Sequence, residues 1–224
     1  MPKSPTKRRP VTVASLTDSA LALFTERGFH ATSISDIVER AGLTRGAFYS
    51  NYRDKEELFL ALYDAQADRL LADLRAEAAR LDPGEDLVDG LLAYLADRAD
   101  RRRQWFLVSM EFTLHAARTP AVAELLALHE ERLVQSVAGM ITETLARTEL
   151  RPAIDAADGA RLLIALFKGI SALGSAWTPA PVPGAQGLRR TEGLSRRIAP
   201  YLVRALTTAA DTPHPNDSEG TPER

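Results

Sequence analysis

Residues 33–58, SISDIVERAGLTRGAFYSNYRDKEEL, decide how this 224-residue chain is read. Ile34, Ile37, Val38 and Ala41 recur at helical spacing, so the first part of the stretch carries one apolar face. Ser33 followed three places later by Asp36 has the form of a capping box, with Asp where Glu or Gln is usual. Gly42 supplies the freedom that a sharp helix–helix turn needs, and Leu43 is placed to tuck back toward a core. Thr44 can cap a second, short helix whose outward positions are Arg45, Gly46, Tyr49 and Ser50, while Ala47, Phe48 and Tyr52 are placed to pack. A third helix opens at Asp54-Lys55-Glu56. The pattern is that of a helix-turn-helix.

These residue types suit one surface in particular. A recognition helix enters the DNA major groove with its N-terminal residues nearest the base edges. Arg45 stands there, and an Arg pairs with guanine O6 and N7 through two hydrogen bonds. Gly46 carries no side chain, so the helix can approach the groove closely. Tyr49, Ser50 and Asn51 offer hydroxyl and amide groups for phosphate oxygens or bases. Lys55, in the first turn of the following helix, adds a cation beside backbone N–H groups that can themselves bind phosphate. Taken alone, the same residues also describe a polar surface on an ordinary helical hairpin.

Charge is distributed in favour of the DNA reading. The whole chain carries −2, yet through Lys55 nine Lys and Arg stand against five Asp and Glu, a net of +4 that leaves −6 for the remainder. A basic end on an acidic body fits one face that meets phosphate and another that does not. The Lys7-Arg8-Arg9 cluster reads either as an arm reaching along the DNA backbone or into the minor groove, or as a solvated tail.

Asp18-Ser-Ala-Leu-Ala-Leu-Phe-Thr-Glu-Arg-Gly-Phe29, Thr32-Ser-Ile-Ser-Asp-Ile37, Ala41-Gly-Leu-Thr-Arg-Gly-Ala-Phe-Tyr49 and Tyr52-Arg-Asp-Lys-Glu-Glu-Leu58 together resemble the N-terminal domain of TetR-type transcriptional regulators. The resemblance covers roughly the first quarter of the chain, with several motifs in the right order. It implies an all-helical homodimer whose three N-terminal helices bind a palindromic operator in double-stranded DNA, with a larger helical domain that takes a small organic effector. It also implies that Ser33, Thr44, Arg45, Gly46, Tyr49, Ser50, Asn51 and Lys55 face DNA. One departure stands out: relatives often carry an aromatic residue and a His where this chain has Ser50-Asn51. The Asn51 amide then stands in place of that histidine's phosphate contact.

Beyond Leu58 the pattern stays helical, without a convincing alternating strand. The helix that opens at Asp54 continues to about Leu81, where Asp82-Pro83-Gly84 ends it. A further helix spans Asp86 to about Asp100, the Arg101-Arg102-Arg103 run breaks the pattern, and an aromatic-rich helix covers Gln104–Arg118. Thr119-Pro120 separates it from a long helix of about Ala121–Thr148, and Pro152 and Asp155 bracket the next start. Between Asp158 and Trp177, the small residues Ala165, Gly169, Ala172 and Ala176 form a smooth stripe beside Leu162, Leu166, Ile170 and Leu173. That apolar surface is wider than one packing partner requires. A later helix carries Leu194, Ile198, Tyr201, Leu202, Ala205 and Leu206. The resemblance implies that these two helices form a four-helix dimer interface with the partner's; the alternative is that both are internal core helices. Residues 178–187 are Pro- and Gly-rich and read as a loop, and the polar tail after Ala210 reads as disordered.

An effector pocket between such helices would be mostly apolar with a few polar anchors. Trp105, Val108, Phe112 and His115 share one face of the aromatic-rich helix, Phe106, Met110 and Thr113 lie near another, and Phe167 and Trp177 come from the stripe-bearing segment. His115, His129 and Glu111 are candidate polar anchors. Aromatics at this spacing also serve as plain core. The expected ligand is an apolar or amphipathic organic molecule.

Other classes lack their signatures. There is no Gly-rich phosphate loop, no His-Glu-x-x-His and no Gly-x-Ser-x-Gly elbow, so no catalytic activity is expected. Zero Cys and four scattered His argue against disulfides, a metal site or any cofactor. No apolar run of about 18 residues suggests a membrane span, and the N-terminus does not lead into a signal peptide, so a cytoplasmic protein is expected. The 45% hydrophobic content suffices for a real core. The expected fold is all-α with about nine helices: a basic arm over 1–9, a helix-turn-helix domain over 10–56, an effector-binding and dimerisation domain over 57–210, and a disordered tail over 211–224. The other open function is a DNA-binding regulator with no small-molecule ligand, acting architecturally or answering to a protein.

Overall fold

The computed structural model describes residues 8–81, 87, 90–91, 94–95, 99–148, 150–176, 201, 205 and 207–209. Among them are seven helices: α1 (Arg8–Arg27), α2 (Ile34–Arg40), α3 (Arg45–Tyr49), α4 (Lys55–Ala78), α5 (Ala99–Ala116), α6 (Pro120–Leu145) and α7 (Ala156–Ala176). Leu87, Gly90, Leu91, Tyr94 and Leu95 are also helical, on the segment where a helix is expected. The fold class is all-α.

Two compact units are distinguished, residues 1–70 with 101–133, and residues 71–100 with 134–224. The first is built around α1, whose Leu16, Ala20, Leu23 and Phe24 are buried. They meet Ile37 and Val38 of α2, Phe48 of α3, and Leu58, Phe59 and Leu62 of α4 in one core. Val108, Phe112 and Ala116 of α5 belong to that same core. The head therefore packs on more of the chain than the boundary at residue 56 suggests. Arg40 ties α2 to α1 through a two-pronged pair with Glu26 at 2.6 and 2.7 Å. In the second unit Val134 and Ala138 of α6 pack with Ala160 and Ile164 of α7. The Arg147 guanidinium donates to the Ala78 and Leu81 carbonyls, satisfying acceptors at the end of α4.

Three expectations need correction. Helix α1 starts at Arg8, so Arg8 and Arg9 form its first turn instead of belonging to a flexible arm; Pro10 is tolerated there because first-turn N–H groups lack helical partners. The Arg101–Arg103 run does not break a helix but lies inside α5, since arginine is a strong helix former. Short strands also occur: β1 (Leu150–Pro152) pairs antiparallel with β2 (Thr207–Ala209), Arg151 opposite Thr208. Three residues are too few for alternation to register in a sequence. Helix α7 starts as bracketed, with the Asp155 carboxylate accepting the Ala157 and Asp158 N–H groups. Residues 1–7, 178–187 and the tail after 210 lie outside the described residues.

Candidate nucleic-acid interface

Local chemistry builds the α2–α3 pair as its spacing predicts. The Ser33 hydroxyl accepts the Asp36 N–H at 3.2 Å, and the Asp36 carboxylate accepts the Ser33 N–H at 2.8 Å, a complete capping box. The Ser33 hydroxyl also donates to the Asp36 carboxylate at 2.6 Å, and this bond, with that from the Ser33 N–H, holds the Asp36 carboxyl below the usual aspartate range. At the other end of α2, Gly42 adopts φ of 64°, and Leu43 N–H donates back to the Val38 carbonyl at 2.8 Å. A side chain at residue 42 would meet nothing within 4 Å, so the dihedral, not crowding, calls for glycine. Thr44 then caps α3 by accepting the Ala47 N–H at 3.2 Å.

Helix α3 is five residues long and two-faced. Phe48 is fully buried, and Tyr52 just beyond is also buried. Arg45, Gly46 and Ser50 are exposed, and Tyr49 is 55% exposed. Ser33 and Thr44 flank this face and are exposed as well. The Ser50 hydroxyl donates to the Gly46 carbonyl at 2.7 Å. Asn51 is turned the same way: Nδ2 donates to the Ala47 carbonyl at 2.8 Å, while Oδ1 accepts from Arg9 Nε at 3.4 Å. Its amide donor is therefore engaged on α3, and its oxygen holds an arginine of α1. Arg9 is a cation at this face that the helix-turn-helix motif does not contain; only its place in the Lys7–Arg9 cluster hinted at it.

Lys55 departs from the phosphate-clamp expectation. Its ammonium donates to the Phe29 carbonyl at 2.8 Å and the Thr32 carbonyl at 2.9 Å, and it lies 4.2 Å over the Phe29 ring. Burial lowers its pKa, against the opposing pull of Glu56 and Glu111. Two of its three donors are thus committed within the head, where they tie α4 to the loop between α1 and α2.

Of the residues expected to line an effector pocket, Trp105, Phe112 and His115 lie together in the first unit, around Phe59 and Phe29. Phe112 is fully buried in the core of the first unit, its ring 4.0 Å from that of Phe59, and Trp105 stacks on the same Phe59 at 5.4 Å. Met110 is half-buried on α5, Phe167 belongs to α7 of the second unit, and Trp177 lies outside the described residues. His115 Nε2 sits 3.2 Å from Glu56 Oε1, within ion-pair distance but not aligned as a hydrogen bond. His129 Nδ1 lies 2.8 Å from Asp64 Oδ1, and Arg132 reaches the other oxygen at 2.6 Å, so this histidine joins α6 to α4. One surface depression of about 350 Å³ is lined by His30, Glu111, Leu114, His115 and Arg118. It takes in His115 and Glu111, two of the expected polar anchors, but none of the expected aromatic residues.

On α7 the stripe expected at a dimer interface is open on the chain: Leu162 is 54% exposed, Ala165, Gly169 and Ala172 are exposed, and Leu166 is half-buried. Ile170 and Leu173 lie on the same helix. Tyr201, 73% exposed, and Ala205 are helical; Ile198 and Leu202 lie outside the described residues. No helix of the described residues is long and apolar enough to cross a membrane.

Known proteins share this arrangement. Residues 16–62 match the model for bacterial regulatory proteins of the tetR family, and residues 83–199 match the C-terminal model of BetI-type transcriptional repressors. The HTH-type transcriptional repressor ComR of Escherichia coli K12 is 30% identical over 196 residues, which cover 84% of this chain and 88% of ComR. The HTH-type transcriptional regulator UidR of the same strain is 26% identical over 155 residues, covering 69% of this chain and 77% of UidR. A TetR-family regulator from Cytophaga hutchinsonii superposes with a TM-score of 0.65 at 19% identity, across 91% of this chain and 98% of that one, which speaks for the fold. With a capped helix-turn-helix at the head and both halves of the chain matched, the chain is a DNA-binding transcriptional regulator, not an enzyme, and it belongs to the TetR family.

Proposed function

We propose that this regulator is a cytoplasmic homodimeric repressor that lays α3 of each subunit into the major groove of a palindromic operator and leaves it when a small apolar or amphipathic effector binds. The observation that carries the DNA-docking part is the division of α3: Phe48 anchors it to the core while Arg45, Gly46 and Tyr49 stand outward. Arg45 is the base reader. Thr44 and Tyr49 supply hydroxyl donors toward phosphates; Ser33 and Ser50 flank them with their hydroxyl hydrogens on Asp36 and the Gly46 carbonyl, and Arg9, steadied by Asn51, supplies the cation that Lys55 does not. The net +4 of residues 1–55 favours the same face. The exposed apolar stripe of α7 supports pairing with a second copy, which would present two α3 helices to successive grooves about 34–36 Å apart. ComR and the BetI-type proteins are named repressors, and that supports repression here. An effector acts only through its different affinity for the DNA-bound and DNA-free states.

The test begins with genomic fragments that the wild-type protein itself selects. Arg45→Ala should weaken binding to such an operator by about 1–3 kcal/mol and relax preference at one base pair per half-site. Wild-type affinity in that variant would refute the docking. A thermal-shift screen over small apolar and amphipathic molecules should yield a stabilising compound that also lowers operator affinity. Silence across a broad panel would favour a regulator without such a ligand.

A further inference from the structure

Glu111 stands outside the helix-turn-helix, on α5, in the segment that matches the C-terminal family model. Its carboxylate nonetheless reaches the loop between α1 and α2. Oε2 accepts the Phe29 N–H at 2.9 Å, and Oε1 accepts the His30 N–H at 3.1 Å. The approach is close: Gly28 closes α1 with φ of 88°, and a Cβ there would stand 2.7 Å from Glu111 Oε2. The carbonyls of the same loop, at Phe29 and Thr32, are held by the Lys55 ammonium. A carboxylate from α5 thus takes the loop's donors, and an ammonium from α4 takes its acceptors. Phe29 is buried between them, its ring 5.0 Å from that of Phe112, the neighbour of Glu111.

This loop leads straight into Ser33, the cap of α2, and α2 leads through Gly42 into α3. What sets the loop therefore acts, beside the Arg40–Glu26 pair and the shared core, on how the helix-turn-helix sits in the head. Charge-assisted hydrogen bonds are short and directional, which suits that task better than apolar contact, which tolerates sliding. We propose that Glu111 is a positioning residue for DNA binding: it latches the α1–α2 loop to α5, so that a displacement of α5 releases α2 and α3 from their DNA-competent pose. The inference rests on the reading of α3 as the DNA-docking helix. A ligand that moves α5 would act through this latch by favouring the released state.

Glu111→Gln keeps the size of the side chain but removes its charge and one of its two acceptors. Binding to a self-selected operator is measured well below the melting temperature, where nearly all protein is folded. The expected result is a loss of about ten-fold in affinity. The slope of log affinity against log salt should not change, because no phosphate contact is lost. Amide exchange at Phe29 and His30 should quicken while the rest of α1 stays protected. Gly28→Ala, which pushes a methyl into the same contact, should reproduce the loss and the unchanged slope. If the latch served stability alone, both variants would melt earlier yet bind the operator as wild type when folded, and the inference would fall. Arg45→Ala measured in parallel separates the two levels. If Arg45→Ala weakens binding and the latch variants do not, only the latch is wrong; if all three bind as wild type, the docking of α3 is wrong as well.

Discussion

Lys55 and Arg9 are two cations of the head held in opposite ways, one tied inside and one exposed. Lys55 sits where a phosphate ligand is expected, but its ammonium is bound by two carbonyls and the face of Phe29. Arg9, from the supposed arm, reaches Asn51 at the end of α3 through Nε and is itself exposed. The two cations should therefore respond differently to substitution. Lys55→Met leaves two carbonyls without their donor and should cost about 1–3 kcal/mol of folding stability, read by chemical denaturation, with little change in the salt slope of operator binding. Arg9→Ala should leave stability almost unchanged and make that slope shallower by about one unit per half-site. A shallower slope in the lysine variant and none in the arginine variant would restore the original assignment.

The short helices of the head depend on their ends. An isolated five-residue helix such as α3 has no stability of its own, so the Thr44 cap and the burial of Phe48 must hold it in place. For α2 the capping box does the same. Asp36 has its pKa lowered by the Ser33 hydroxyl and main-chain bonds, so the stability it adds is present above the ordinary aspartate pKa and is lost as the pH falls through the depressed value. Ser33→Ala should destabilise the protein by about 1 kcal/mol at neutral pH. The difference from wild type in denaturant midpoint should narrow as acid protonates Asp36. A difference that stays constant across that range would show that the carboxylate takes no part in the cap.

The chain as a whole carries an apolar stripe on α7 that its own described residues leave exposed, with Leu162 as a large apolar side chain standing out on it. A second copy of the same helix is the cover that the proposed function requires. Leu162→Glu buries an unpaired charge in such an interface and should convert a dimer into monomers in sedimentation analysis. Operator affinity should fall with it, because two linked heads bind far better than one. A dimer that persists, with unchanged operator binding, would move the interface elsewhere.

The helix-turn-helix was legible because its determinants are local. Ser33 with Asp36, Gly42 with its φ of 64°, and Thr44 with Ala47 each act within a few residues, and spacing along the chain records them directly. The exposed stripe of α7 was legible for the same reason, since helical periodicity places Leu162, Ala165 and Gly169 on one side. Partners far apart in sequence were not. Lys55 meets a carbonyl 26 residues away, and Glu111 meets an amide 82 residues away. Aromatic spacing on α5 suits a core at least as well as a pocket, and Phe112 and Trp105 both pack on Phe59 in the core of the first unit. Short-range hydrogen bonding and periodicity thus wrote the DNA-binding motif into the chain. Which charges stay exposed and which are tied up inside the head was decided by burial: a charged group brought into the packed interior takes the nearest polar partners there and ceases to be available outside.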